Sequence, residues 1–274
     1  MKLGFNQATC WHNSSLEQDI HLAEEFGYAA IEIRLDMLQD YLRRHALSAL
    51  ADFFSESRLQ AYGYNSLEDI LFCDSTGWRQ KRELLKLAGT TSAVIGGDCV
   101  VAVPTIAANQ RWSNQDVIRE SVRCLRELSD TAGELGLRLA FEPIGSAGCC
   151  VRSLEMAADI VDRVNRSNVG LVVDAFNLFL YDQWRNPAIL RTIPVDKIFI
   201  YHIDDADDLP VGKLDHCHRL FPGNGVIPLA DISRELSTIG YEGLCSLELF
   251  NPGYWQLNAR DVFAIGAQKV SPFL

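Results

Sequence analysis

Four apolar runs in the second half of the chain each end on a side chain that can bind a metal ion. The runs are Leu137-Arg-Leu-Ala-Phe-Glu142, Val169-Gly-Leu-Val-Val-Asp174, Lys197-Ile-Phe-Ile-Tyr-His202 and Gly243-Leu-Cys-Ser-Leu-Glu248. Each run has the length and composition of a β-strand. If these strands are parallel and close into a barrel, the side chains at their carboxyl ends converge on one mouth. Three carboxylates and one imidazole would then surround one divalent cation.

Taken singly, each of these residues has a structural explanation. A carboxylate at a strand end is often a helix N-cap or a salt-bridge partner, and His202 alone could be a buried core histidine. All four close consecutive strands, and this common position favours a metal site. The donor set suits manganese, cobalt, magnesium or zinc, because it offers no thiolate that would select strongly for zinc.

The charge of this cluster also restricts its chemistry. Three ionised carboxylates outweigh a +2 ion by one negative charge, so we expect a neutral polyhydroxylated substrate rather than a polyanion. The metal would polarise a carbonyl, and carboxylates would move a proton between adjacent carbons through an enediolate. Glu142 and Glu248, on the fifth and eighth strands, are predicted to oppose each other as the acid/base pair, and Asp174 to be a ligand only.

Helical and strand-like patterns alternate along the whole chain without a Pro/Gly/Ser-rich linker. We predict eight strands, at roughly 2–6, 29–33, 59–64, 99–103, 138–142, 170–174, 197–203 and 244–249. This order predicts an α/β fold, a (β/α)₈ TIM barrel that occupies residues 1–274 as a single domain. A doubly wound open sheet is the alternative, and the lack of G-x-G-x-x-G after the first strand weakens it.

Helix signals separate the predicted strands. Ser14-x-x-Glu17 has the pattern of a capping box, and Gly27 is a predicted helix stop before the second strand. Apolar residues recur at helical spacing between Asn114 and Leu135 and again from Leu154 to Val164. We therefore predict helices in all three segments.

Composition limits the partners and the compartment. The formal net charge is −11, which disfavours nucleic acid, and no run approaches the roughly 18 apolar residues of a membrane span. The amino terminus shows no signal-peptide pattern, so we expect a cytoplasmic protein. The eight cysteines include no C-x-x-C pair, and we expect them to be reduced and mostly buried. The sequence is also compatible with a homo-oligomer.

The chain resembles, from end to end, the xylose-isomerase-like barrel superfamily of sugar isomerases and epimerases, and within it the 2-keto-myo-inositol isomerases. The motifs that carry the resemblance are Lys2-Leu-Gly-Phe-Asn-Gln-Ala-Thr9, Gly27-Tyr28, Ile31-Glu-Ile-Arg34, Val100-Val-Ala-Val-Pro104, Asn168-Val-Gly-Leu-Val-Val-Asp174, Lys197-Ile-Phe-Ile-Tyr-His-Ile-Asp-Asp205, Phe221-Pro-Gly-Asn-Gly225 and Ser246-Leu-Glu-Leu-Phe250. The resemblance implies the same four metal ligands and the same pair of proton-shuttling glutamates. It also implies that Arg219 reaches a substrate oxygen.

One position departs from the superfamily pattern. Many relatives carry a histidine three residues after the sixth-strand aspartate, where it contacts the substrate, and this chain has Asn177 there. Asparagine can form hydrogen bonds but cannot carry charge or shuttle a proton. The departure bears on substrate identity more than on reaction type.

Several further residues are weaker candidates. Glu32 has the parity to face the barrel interior, and we predict that it touches the substrate or supports a ligand. Asp204 or Asp205 could support a ligand, whereas His216 and His218 read as incidental residues of an exposed loop. The aromatic residues that could wall the mouth or pack in the core are Trp11, Tyr254 and Trp255.

The leading hypothesis is a metal-dependent isomerase of a keto-inositol or small unphosphorylated sugar. A ketose 3-epimerase, an enzyme similar to hydroxypyruvate isomerase and a non-catalytic carbohydrate-binding barrel are the alternatives. An abasic-site endonuclease is disfavoured, because Tyr64-Asn65 and Val103-Pro104, at the ends of the third and fourth strands, supply no histidine for a metal cluster.

Overall fold

A closed barrel of eight parallel strands forms the centre of the computed structural model, which describes residues 1–107 and 112–274. The strands within these ranges are β1 (Lys2–Asn6), β2 (Ala30–Arg34), β3 (Gln60–Leu67), β4 (Cys99–Ala102), β5 (Arg138–Phe141), β6 (Val169–Asp174), β7 (Ile198–Ile203), β8 (Asp205–Ala206), β9 (Arg219–Leu220) and β10 (Leu244–Leu247). Around the barrel the order is β1-β10-β7-β6-β5-β4-β3-β2, while β8 and β9 pair antiparallel beside it. The predicted (β/α)₈ TIM barrel is confirmed.

Helices connect the barrel strands. They are α1 (Leu16–Glu25), α2 (Leu35–Leu42), α3 (Leu47–Glu56), α4 (Ser75–Ile95), α5 (Asn114–Glu134), α6 (Leu154–Val164), α7 (Ala175–Asp182), α8 (Leu229–Thr238) and α9 (Ala259–Val270). The predictions for α5 and α6 are confirmed to within a residue. The apolar stripe of α5 is buried at Val117, Leu125 and Leu128. Each such side chain contributes about 1.5–3 kcal/mol of burial free energy, which fixes the helix on the barrel.

The predicted start of α1 is wrong by one residue. Ser15, not Ser14, is the N-cap, and its hydroxyl accepts a hydrogen bond from the backbone N–H of Gln18 at 3.3 Å. The reason is that Ser15 has the extended backbone (φ −123°) that an N-cap requires. The predicted helix stop is confirmed, because Gly27 has a φ of +76°, which favours glycine.

Strand β3 extends beyond its predicted end at residue 64. Its pairing with β4 shifts register between Tyr64 and Leu67, and it resumes where Leu67 lies opposite Ala102. Polar Asn65 and Ser66 hide this continuation in the sequence, since they interrupt the apolar run. The irregular segment places Asn65 at the mouth of the barrel.

Two predictions from composition can be compared with the structure. All eight cysteines are free and six of them are buried, as predicted. Among the helices in the described part of the chain, none is both long enough and apolar enough to cross a membrane.

Candidate functional site

The four predicted ligands lie together inside the mouth of the barrel. Asp174 and His202 are paired across β6 and β7, and Glu142 and Glu248 directly follow β5 and β10. The backbone N–H of Glu142 donates to the carbonyl of Ala102 at 3.0 Å, so the strand ladder itself fixes this residue. One potential ligand atom from each of the four lies within 4.8 Å of the others. None of the four residues is more than 4 % exposed.

His202 presents one ring nitrogen to the three carboxylates. Its Nε2 lies 3.1 Å from Oε1 of Glu32, which makes Nε2 the protonated nitrogen and Glu32 the acceptor. Its Nδ1 is buried and has no hydrogen-bond partner in the described chain. Nδ1 lies 3.3 Å from Glu248 and 3.8 Å from both Glu142 and Asp174. Nδ1 therefore faces three carboxylates.

This arrangement fits a divalent cation. The site brings together four groups that can each donate an electron pair to a cation. They are three carboxylates and one buried imidazole nitrogen that has no hydrogen-bond partner in the described chain. A cation would satisfy the nitrogen and offset the negative charge, and oxygen-rich sets of this kind suit hard or borderline metals. A second cluster of possible ligands, Asp215, Cys217 and His218, lies in a partly exposed turn. Hydrogen bonds within that turn already account for its geometry.

Two asparagines hold the glutamates. Asn6, at the end of β1, donates from Nδ2 to Oε1 of Glu248 at 2.7 Å. Asn177 donates from Nδ2 to Oε1 of Glu142 at 3.2 Å, and its Oδ1 accepts from the N–H of Gly145 at 3.1 Å. Sequence reasoning missed Asn6, although a polar residue at the end of an apolar first strand was the available signal. Asn177 contacts a candidate ligand directly, which the sequence did not predict.

Arg219 is a buried counter-charge to the carboxylates. Its Nη1 donates to Oδ2 of Asp174 at 2.8 Å and to Oε2 of Glu248 at 2.9 Å. The same nitrogen contacts Asp204, which also accepts from the N–H of Phe176 at 2.9 Å. Asp204 therefore belongs to the network around the candidate ligands, as the sequence suggested. Burying these carboxylates so close together is possible because a permanent cation lies among them.

The two glutamates differ in their affinity for a proton. Burial raises the pKa of Glu142 to about 7, and repulsion from Glu248 adds to this. Burial also favours the neutral form of Glu248, but the charges of His202 and Arg219 outweigh it and lower that pKa to about 2. Two carboxyls with opposed protonation preferences are what an acid/base pair requires.

A cavity of about 310 Å³ opens above the cluster. Of the four candidate ligands, Glu142 and Glu248 line it, whereas Asp174 and His202 do not. Its other lining residues are Trp11, Arg34, Asn65, Ser66, Glu68, Val103, Ile106, Ile144, His216, Arg219 and Phe250. This volume lies at the small end of the range for small-molecule sites.

One wall of the cavity is a stacked pair of side chains. The guanidinium carbon of Arg34 lies 3.7 Å from the ring centroid of Trp11. Asp36 accepts from Nε of Arg34 at 3.0 Å and from Nε1 of Trp11 at 2.9 Å. Trp255 packs edge-on against Trp11 at 5.9 Å. The role of Trp11 as a wall of the mouth agrees with the sequence analysis, whereas Arg34 was missed.

The structure brings some weaker candidates into the site and leaves others out. Glu32 is fully buried beneath His202 and does not line the cavity, so it contacts a candidate ligand and not the cavity. Asp205 accepts from the N–H groups of Gly223, Gly225 and Ile227, and so orders the following loop. The expectation that His216 is exposed is wrong, because it is half-buried and lines the cavity.

Known proteins of similar sequence and fold indicate the family of this chain. The family model described as the xylose isomerase-like TIM barrel matches residues 20–268. The chain is 40% identical to an inosose isomerase of Bacillus licheniformis and 38% identical to one of Bacillus velezensis. Each alignment covers 95% of this chain, with 93% and 92% of the respective relatives. A crystal structure of the IOLI protein with a binding zinc atom superposes with a TM-score of 0.95 at 37% identity, covering 100% of this chain and 98% of that one. The chain therefore belongs to the xylose isomerase-like TIM barrel family.

Proposed function

We propose that this protein is a metal-dependent isomerase that moves a carbonyl group between adjacent carbons of a keto-inositol, with 2-keto-myo-inositol as its substrate. The observation that carries the proposal is the cluster of Glu142, Asp174, His202 and Glu248 beneath a cavity of about 310 Å³. The full-length similarity to inosose isomerases supports the choice of substrate.

The cluster would hold one divalent ion of manganese, cobalt, magnesium or zinc. When bound, the ion would polarise the substrate carbonyl and the neighbouring hydroxyl. The hydrogen on the hydroxyl-bearing carbon would then become more acidic. Asp174 and His202 would serve as ligands only, since they do not line the cavity. Glu32 would fix the orientation of His202 from behind.

Glu142 and Glu248 would carry the proton. One carboxylate removes the hydrogen from the hydroxyl-bearing carbon next to the carbonyl, which gives an enediolate. A proton is then delivered to the former carbonyl carbon, while the hydroxyl hydrogen passes to the former carbonyl oxygen, so that no atom is gained or lost. Asn177 and Asn6 hold the two carboxylates in place during these transfers. Each positioned acid or base typically contributes 10²–10⁴-fold.

The direct test is turnover of 2-keto-myo-inositol by protein that has been treated with EDTA and then supplied with each of the four metals. Carbon-13 NMR would follow the appearance of a second inosose. We expect product only with metal, and a loss of at least about 100-fold in kcat for Glu142→Gln. Glu134→Gln, an exposed and distant change, is the matched control. Metal-independent turnover, or full activity of Glu142→Gln, would refute the proposal.

A further inference from the structure

The Arg219 guanidinium has one nitrogen committed to carboxylates and another that faces a histidine. Nη1 lies within hydrogen-bond distance of Asp174, Asp204 and Glu248. Within residues 1–107 and 112–274, the only hydrogen-bond partner of Nη2 is Nδ1 of His216, at 3.4 Å. Arg219 is 1 % exposed although it lines the cavity.

His216 is held in a defined position at the cavity wall. Its ring centroid lies 6.2 Å from that of Phe176 and 5.6 Å from that of Phe250. Two hydrogen bonds stabilise the turn that carries it. Asp215 accepts from the N–H of Cys217 at 3.0 Å, and the ring of His218 accepts from the N–H of Asp215 at 3.1 Å. These contacts orient His216 before any ligand binds.

The neighbouring guanidinium determines the tautomer of His216. Arginine only donates, so Nδ1 must be the acceptor, and the ring proton must lie on Nε2. Burial disfavours an imidazolium here, and a second positive charge 3.4 Å from Arg219 disfavours it further, so the pKa of His216 falls to about 4. Nε2 has no hydrogen-bond partner among the described residues, and the residue lines the cavity. A neutral N–H donor is therefore left for a ligand.

We infer that His216 is a specificity-determining residue whose Nε2–H donates a hydrogen bond to an oxygen of the bound substrate. The inference rests on the proposed function and deepens it. It identifies a contact outside the metal cluster that requires a hydroxyl or carbonyl oxygen on the substrate edge facing the turn of residues 215–218. A non-reacting oxygen is bound alike in the ground state and the transition state, so its loss raises KM more than it lowers kcat.

The test compares two substitutions of His216 in the metal-loaded enzyme with 2-keto-myo-inositol. His216→Phe keeps a ring between Phe176 and Phe250 but removes the donor, and His216→Gln supplies a neutral amide donor. We expect KM to rise about fivefold to tenfold for His216→Phe, with kcat within about twofold of wild type, as for one lost hydrogen bond. His216→Gln should recover most of this KM. Cys217→Ser, an exposed change in the same turn, is the matched control and should keep the wild-type KM.

Metal content and the melting temperature would be measured for every variant. An unchanged KM in His216→Phe, or no recovery in His216→Gln, would overturn the role of His216 while leaving the proposed function intact. Joint loss of kcat and bound metal would also overturn it, because His216 would then act by supporting Arg219. A wild-type enzyme without any turnover would refute the proposed function itself, and this role with it.

Discussion

His202 and Glu32 meet across the barrel interior, with the Nε2 atom of the histidine 3.1 and 3.2 Å from the two carboxylate oxygens. Both side chains are fully buried. The contact fixes the tautomer of His202 and turns its other nitrogen toward the three carboxylates. In the proposed metal site, Glu32 would orient the histidine toward the cation without contacting the cation itself.

Weakening this contact should weaken metal binding. Glu32→Gln keeps the size of the side chain but replaces a charged acceptor with a neutral amide. We expect manganese affinity to fall about 10- to 100-fold, the usual effect of losing a partner behind a metal ligand. Titration of free Mn²⁺ by electron paramagnetic resonance would measure it, with the exposed Glu83→Gln as control. Equal affinity in wild type and Glu32→Gln would contradict this role.

A metal that binds only the folded protein should raise its melting temperature. At a free concentration about 100 times the dissociation constant, the gain is about 2.7 kcal/mol. We expect manganese to stabilise the wild type and to lose this effect in Asp174→Asn, which removes a ligand charge from the buried cluster. Asp215→Asn alters the partly exposed second cluster and should respond like wild type. Loss of the stabilisation in Asp215→Asn but not in Asp174→Asn would show that the metal binds at the turn instead.

Asn177 should be a positioning residue for Glu142. Asn177→Leu preserves the approximate size but removes the donor to Glu142 and leaves the buried N–H of Gly145 without its acceptor. We expect a stability loss of about 1–3 kcal/mol together with a drop in kcat. Urea unfolding and steady-state kinetics would measure the two effects, and the exposed Asn186→Leu serves as control. A stability loss without any change in kcat would rule out the positioning role.

Asp19 should make the fold less stable as pH rises. Its side chain is fully buried, one oxygen accepts from Gln7 at 2.7 Å, and the other has no partner in the described residues. Burial raises its pKa from 3.8 to about 7. The folded state therefore binds the proton more tightly than the unfolded state, so the stability that Asp19 contributes is complete below pH 3.8 and is lost as pH rises through about 7.

The corresponding experiment is urea unfolding at pH 5 and pH 8. Asp19→Asn removes the titration, so it should stabilise the protein more at pH 8 than at pH 5, by an amount on the order of a few kcal/mol. Asp130→Asn, an exposed change, should show no such dependence. A pH-independent effect of Asp19→Asn would show that the carboxyl does not titrate in this range.

Local patterns were sufficient to predict the barrel. Parallel strands buried on both faces give continuous apolar runs, and polar residues directly after such runs stand out, as Glu142 and Glu248 do. The same reasoning failed where a strand contains polar residues. The extension of β3 through Asn65 and Ser66 depends on pairing with β4, which the local composition does not reveal.

The contacts that complete the site join residues far apart in sequence. Asn6 reaches Glu248 across 242 positions, and Glu32 reaches His202 across 170, so neither partner can be read from spacing. His216 was misjudged for a related reason. Its polar neighbours suggest an exposed loop, but packing beside Phe176 and Phe250 brings it to the cavity wall. Only its closeness in sequence to Arg219 hinted at this.

The most direct test of the account is solvent-deuterium incorporation into 2-keto-myo-inositol, observed by proton NMR in D₂O with added manganese. We expect deuterium at the carbon next to the carbonyl with the wild type. Exchange should disappear with EDTA and fall at least about 100-fold in Glu248→Gln. Exchange that persists unchanged in either condition would contradict proton transfer by the glutamates of this metal site.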